Sequence, residues 1–274
     1  MIIKTKEEIA ILREGGQILA NILNQVLKMV KPGITTLELE EFANSEILKA
    51  GGRPAFKDHP MGPDSYFPSA LCTSVNEEIV HGPAVPAREL KNGDIISVDV
   101  GMEWPFQGKH ERDINPHSLG GGYYTDMSKT VAVGKISKEA KQLISVTKDC
   151  LSAGIEAARA GNHINDIGRA VQAVADKYGY GVVRDLVGHG VGHEVHEKPD
   201  IFNYEIGEKH PLNLKLEEGM VIAIEPMINL GSYKVREAKD GFSIFTQDSK
   251  LSAHFEHSIA ITDSDPLIIT KLDK

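Results

Sequence analysis

A ten-residue stretch of this sequence recurs 126 positions downstream, and that restricts the chain to folds with two similar halves. Leu90-Lys-Asn-Gly-Asp-Ile-Ile-Ser-Val-Asp99 aligns without a gap on Leu216-Glu-Glu-Gly-Met-Val-Ile-Ala-Ile-Glu225. Leu, Gly and Ile recur in place, the apolar strand positions match, and both segments end in a carboxylate. Two amphipathic strands can match over ten residues by chance, but a second pair of acids keeps the same rhythm. Asp126 and Glu256 lie 130 positions apart. The helix junction Pro32-Gly33 also has a counterpart at Ala160-Gly161. Self-similarity at a fixed period indicates one supersecondary unit used twice. Two such halves would bring four carboxylates to a pseudo-twofold axis.

The order of elements agrees. Thr5 with Glu8 forms a capping-box pattern that opens a long helix. Ile9, Leu12, Leu19, Ile22, Leu23, Val26 and Val30 give it an apolar stripe, and Lys31-Pro32-Gly33 ends it. Thr35 with Glu38 caps a second helix that runs out at Gly51-Gly52. Strands are predicted over 70–75, 95–100 and 128–133, helices over 137–160 and 166–178, and strands over 220–225 and 257–262. The expected fold class is α+β, with a helix-helix-strands unit repeated about a central antiparallel sheet. A single domain over 1–274 is expected, its halves spanning about 5–134 and 137–274.

Composition narrows the function. A net charge of −9 disfavours nucleic acid as a specific partner, because a duplex binder needs a basic face to displace counterions. Two cysteines, Cys72 and Cys150, form no disulfide framework and suit a reducing compartment. Cys150 sits in a helical pattern and reads as core. Charge begins at Lys4, no apolar signal core precedes it, and no apolar run approaches the roughly 20 residues of a membrane span. A cytoplasmic location without membrane contact is expected.

Asp99 and Glu225 each interrupt an apolar strand, and an acid drawn into such surroundings is costly unless paired or bound to metal. A lone strand acid is as readily explained by solvent exposure, but two in one repeat position point to a shared site. Four gathered carboxylates would raise one another's pKa steeply, and a pair of divalent cations resolves that repulsion. His189, between Gly188 and Gly190, is a candidate imidazole ligand. His193-Glu-Val-His196 is followed by Glu197 and does not form an H-E-x-x-H zinc motif, and the glycines argue against a helix there.

Over essentially its whole length the sequence resembles the type I methionine aminopeptidases, which are pita-bread metallopeptidases. The resemblance rests on Cys72-Thr-Ser-Val-Asn-Glu-Glu-Ile-Val-His81-Gly, Ser97-Val-Asp99-Val-Gly101 and Asp126-Met-Ser-Lys-Thr. It continues through Gly188-His189-Gly-Val-Gly, His196-Glu-Lys-Pro199, Ile224-Glu225-Pro226-Met227 and Phe255-Glu256-His257. It implies the pita-bread fold and two divalent metal ions, manganese, iron, cobalt or zinc, held by Asp99, Asp126, His189, Glu225 and Glu256. Asp126 and Glu256 would bridge the ions, and Glu225 would also take a proton from the attacking water. His196 would hydrogen-bond the scissile carbonyl, and His81 would lie beside the scissile amide. Phe67 and Cys72 would line the pocket for the first residue. The implied reaction is removal of methionine from the amino terminus of peptides and nascent chains, by a monomer with the ribosome as a candidate partner.

Two departures stand out. The segment 102–124 is longer than the family usually has and reads as a loop bordering the site. It contains Asp113, a rival second ligand by spacing, and His110 and His117, a candidate accessory metal pair. Asp126 is preferred because Ser-Lys-Thr-Val-Ala-Val-Gly134 follows it in the family's manner. Gly241-Phe242-Ser243 stands where the family often carries a tryptophan near the pocket. The alternative functions are a proline-directed aminopeptidase or prolidase, and a binding module of the same fold without catalysis.

Overall fold

In the computed structural model, residues 2–62, 64–106 and 121–273 are described. Asp113, His110 and His117 lie outside them.

Among the described residues four helices alternate with two groups of strands. The first helix, Lys6–Met29, and the second, Thr36–Lys49, both begin at the expected capping boxes. In each box the threonine hydroxyl accepts the N–H of the glutamate, and the glutamate carboxylate accepts the threonine N–H. The third helix is Lys138–Ala157, capped by Ser137. The fourth is Ile164–Asp176 and starts two residues before the expected position. Asp166 does not cap it from outside; its carboxylate reaches back to the His163 N–H at 2.8 Å from the first turn. Cys150 is fully buried in a cluster with Leu143 and Val171, as a core residue should be. Among the described residues no helix is long and apolar enough to cross a membrane.

The strands are longer than expected in the first half. Ile95–Trp104 pairs along its full length with Tyr123–Ala132, so 102–104 and 123–124 are strand rather than loop. On its other edge Ile95–Trp104 pairs with Leu71–Val75 and Arg53–Pro54. In the second half Val221–Ile224 pairs with His257–Ala260 and with the short strand Gly188–Gly190. All these pairs are antiparallel. The first and second helices pack on the first sheet through Leu19, Leu23, Leu39 and Ile96, and the third and fourth pack on the second through Ile155, Ile167 and Ile222.

The two sheets meet at a seam sewn partly by side chains. The Ser258 hydroxyl accepts the Asp126 N–H and donates to the Asp126 carbonyl, both at 2.9 Å. Four residues away, the Thr130 hydroxyl accepts the His254 N–H at 2.8 Å and donates to the His254 carbonyl at 2.9 Å. Between them the Glu256 N–H donates to the Ser128 carbonyl at 2.9 Å. The hydroxyls stand where a neighbouring strand's own amide and carbonyl would be, so the halves join without a continuous ladder. Ser258 is fully buried. Ser258→Ala therefore strands an N–H and a C=O in the interior, and chemical denaturation should show a loss of about 2–4 kcal/mol.

Candidate metal centre

The seam places the acids. Asp99 lies on Ile95–Trp104, paired across the strands with Cys72 on one side and Ser128 on the other. Asp126 pairs with Gly101 on the adjacent strand, two positions along, so the two aspartates are diagonal neighbours on one face. Glu256 stands on the other side of the seam, between Ser252–His254 and His257–Ala260. Glu225 follows directly on Val221–Ile224. The repeat seen in the sequence thus delivers one acid from each of four adjacent segments.

His189 completes the group from Gly188–Gly190, a strand squeezed between two others. A Cβ at Gly188 would fall 2.3 Å from the Ala223 carbonyl oxygen, so close approach dictates glycine there. The ring Nδ1 lies 2.9 Å from the Gly190 carbonyl oxygen, which fixes Nδ1–H as the donor. Nε2 is left with its lone pair facing the acids, 3.5 Å from Glu225 Oε1. Ligand atoms of Asp126, His189 and Glu256 all lie within 4.8 Å of one another, and all three residues are buried.

Electrostatically this is a site waiting for positive charge. Burial raises the Asp99 carboxyl from its ordinary 3.8 to about 7, against a hydrogen bond with Asp126 that lowers it. Burial, and then the charge of Asp99, push Asp126 and Glu225 well above the carboxylate range. Glu256 is raised by burial and by Asp126, Glu225 and Asp99. Asp99 Oδ1, Asp126 Oδ1 and Glu256 Oε1 are buried without a hydrogen-bond partner. Buried oxygens of this kind are costly unless something binds them. Four carboxylates and one imidazole form an oxygen-rich donor set that fits a divalent metal ion.

The remaining sequence candidates surround this group. The His196 ring stands edge-on to His189 with centroids 4.5 Å apart. Burial and its imidazole neighbours depress His196 to about 2, so it is neutral at working pH. His81 is half-buried with φ of +59°, a left-handed conformation rare for a non-glycine residue, and burial lowers its pKa. Cys72 is buried, and its thiol is raised by burial and then by Asp99, Asp126 and Glu256. It is an inert packing group rather than a nucleophile. Phe67 shares an apolar cluster with Cys72.

Three neighbours were not assigned to the site from the sequence. His59 packs against His196 at 5.5 Å. His254 is buried with neither ring nitrogen hydrogen-bonded, its Nε2 3.7 Å from Glu225 Oε2. Burial lowers it to about 3. Phe242 meets Phe67 edge-to-face at 5.7 Å and 90°, so the tryptophan-lacking stretch still contributes an aromatic wall. His254, two residues before Glu256, was the one detectable by spacing.

Known proteins match the chain and its fold. Residues 10–263 match metallopeptidase family M24. A methionine aminopeptidase of Clostridium acetobutylicum is 41% identical over 270 residues, covering 98% of both chains. The crystal structure of methionine aminopeptidase from Rickettsia prowazekii superposes with a TM-score of 0.86 at 35% identity, covering 99% of this chain and 100% of that one. A prolidase from Pyrococcus horikoshii shares the fold at 21% identity and a TM-score of 0.73, and this chain spans 64% of its length.

Proposed function

The chain belongs to metallopeptidase family M24, and we propose that it is the member that removes methionine from the free amino terminus of peptides and nascent chains in the cytoplasm. The observation that carries this reading is the buried, unpartnered acid cluster beside His189 in a chain 41% identical, end to end, to a methionine aminopeptidase. We assign Asp99, Asp126, His189, Glu225 and Glu256 as ligands of two divalent ions, manganese, iron, cobalt or zinc. Asp126 and Glu256, which stand on opposite sides of the seam with His189, would be the two carboxylates shared between the ions. The catalytic unit is one domain of two similar halves, working as a monomer.

When bound, the ions supply Lewis-acid polarisation of the scissile carbonyl and make a water acidic enough to attack at neutral pH. The chain's own groups do the rest. Glu225 accepts the proton of the attacking water. Neutral His196 donates an N–H to the scissile carbonyl oxygen as charge develops there. His81 binds the scissile amide and serves the departing amine. Phe67, Phe242 and Cys72 form a narrow apolar wall suited to an unbranched thioether side chain. His196→Ala should lower kcat by about 10²- to 10³-fold with little change in KM, as for loss of one donor to a developing oxyanion.

The substrate test compares Met-Ala-Ser with a matched Xaa-Pro-Ala peptide. Release of methionine from the first alone is expected. Cleavage only before proline would move the chain to the proline-directed branch. Inactivity on both, with metal bound, would leave a binding module.

A further inference from the structure

The loop that carries His196 has no regular secondary structure between Val191 and His196, yet it must hold an imidazole to a fraction of an ångström. Its start is fixed, because the Val191 N–H donates to the Val221 carbonyl at 3.1 Å and the Tyr124 N–H donates to the Gly192 carbonyl at 2.7 Å, and its far end runs into the strand pairing of Glu197 with Gly190. Its middle is held by the Gly192 N–H donating to the Glu194 carbonyl at 3.1 Å, by Glu8 Oε1 at 2.7 Å from His193 Nε2, and by the carboxylate of Glu197. Glu197 Oε1 accepts the N–H of His193 at 2.5 Å and the N–H of Glu194 at 3.0 Å. Its other oxygen, Oε2, takes the ammonium of Lys4, and the two side chains are only 3% and 1% exposed respectively.

Lys4 comes from the opposite end of the sequence. Its N–H donates to the Gly219 carbonyl at 2.8 Å, and Ile3 bridges Met220, so the segment before the first helix is tied to the strand that leads to Glu225. The Lys4 side chain then passes over Gly192. A Cβ at Gly192 would fall 2.6 Å from Lys4 Cε, and Gly192 has φ of +139°, so space and backbone both demand glycine. A charged pair this deep is costly to bury, and removing one partner leaves the other uncompensated.

From this network we infer that Glu197, neutralised by Lys4, is the positioning residue that holds His196 against the metal centre. The inference rests on the peptidase reading above. It makes the geometry of a catalytic imidazole depend on a lysine outside the active site, in the first strand-like segment of the chain. Lys4→Met leaves a buried carboxylate alone. Glu197→Gln keeps a carbonyl oxygen for the loop but turns an amide NH₂ towards the ammonium. Together the two substitutions remove both charges and keep the acceptor, so the double variant should hold the loop.

The experiment has three readouts: kcat and KM on Met-Ala-Ser with manganese bound, the His196 ring resonance by NMR with diamagnetic zinc bound in its place, and the same substitution in a His196→Ala background. Each single variant should lose about 10- to 100-fold in kcat, the scale expected when a catalytic group is displaced by about 1 Å. KM should stay within about threefold, and the ring resonance should move. Lys4→Met/Glu197→Gln should recover kcat to within about threefold of the parent and return the resonance. In the His196→Ala background Lys4→Met should change kcat by less than about twofold, because the group it positions is gone. An equal loss in that background, or a double variant no better than the singles, would overturn the inference. Should a single variant not fold, the double variant decides alone: loss of kcat with a displaced ring resonance counts against the inference. Should the parent fail to cleave Met-Ala-Ser, the methionine reading falls. The resonance then tests the positioning separately, supporting it if moved and restored, and refuting it if unmoved.

Discussion

Asp126→Asn should abolish metal-dependent peptide hydrolysis while raising the melting temperature of the metal-free chain. The two effects have one cause. Asp126 sits buried beside Asp99 and within range of Glu225, and burial with those charges already pushes its carboxyl well above the usual range. The amide is nearly isosteric, so packing is kept while one ionisable group leaves a crowded site. The seam survives, because Ser258 bonds the backbone of Asp126 and not its side chain. Removing a buried carboxyl that the folded metal-free chain must keep protonated relieves about 1–3 kcal/mol at neutral pH, which for a chain of this size raises the melting temperature by several degrees. Catalysis has no such tolerance, since an amide is a poor bridge between two cations. Rates should fall on the order of 10³-fold or more, as when one member of a catalytic unit is removed. Calorimetry with chelator present and a methionine-release assay with manganese check the two halves. A melting temperature that falls would mean that Asp126 is not under the strain of its neighbours.

Raising the pH from about 6.5 to 8.5 should destabilise the metal-free chain, and manganese should remove that dependence. Below about 6.5 two sets of shifts oppose each other. Burial holds His196 near 2 and His254 and His257 near 3, and also lowers His189, so their contribution is lost as pH falls and the unfolded chain takes up protons. The acids act in reverse. A carboxyl raised in the folded state contributes stability below its unfolded value, and that stability is lost as pH rises through the folded one. Asp99 is raised to about 7, and Asp126, Glu225 and Glu256 are raised well above their ordinary values. The unfolded histidines are half neutral at about 6.5 and almost wholly so by about 7.5, so over this range their opposing contribution fades and the acids prevail. Each carboxyl still protonated there costs about 1.4 kcal/mol per pH unit. Metal favours the ionised acids, and at 100 times its Kd adds about 2.7 kcal/mol. Thermal melts at pH 6.5 and 8.5, with chelator and with manganese, read this directly; a metal-free chain that gains stability over that range would contradict it.

Much of this was legible before any coordinates. Capping boxes and apolar stripes gave the first two helices because their signals are local. The repeat gave the acid pairs because both halves keep the same strand register. What escaped was set by tertiary context. The strand Tyr123–Ala132 begins five residues before the expected 128, because its first residues pair with 102–104 beyond the apolar run. The fourth helix begins at Ile164 because Asp166 serves as a first-turn acid for a histidine, an unusual cap. Gly188 is needed for close approach, and only the packing shows that the neighbour it makes room for is the Ala223 carbonyl. Phe242 and His59 approach the site from separate loops, and Glu197 gains its meaning only from Lys4, 193 residues away. No local pattern announces such partners.

The most direct test is to strip the chain of metal, titrate manganese back, and follow bound metal together with methionine released from Met-Ala-Ser and from its N-acetylated form. Release should be absent without metal, rise with bound ion to two per chain, and occur only from the peptide with a free amino terminus. Full activity in the stripped chain, or equal cleavage of the acetylated peptide, would contradict a metal-dependent aminopeptidase built on Asp99, Asp126, His189, Glu225 and Glu256.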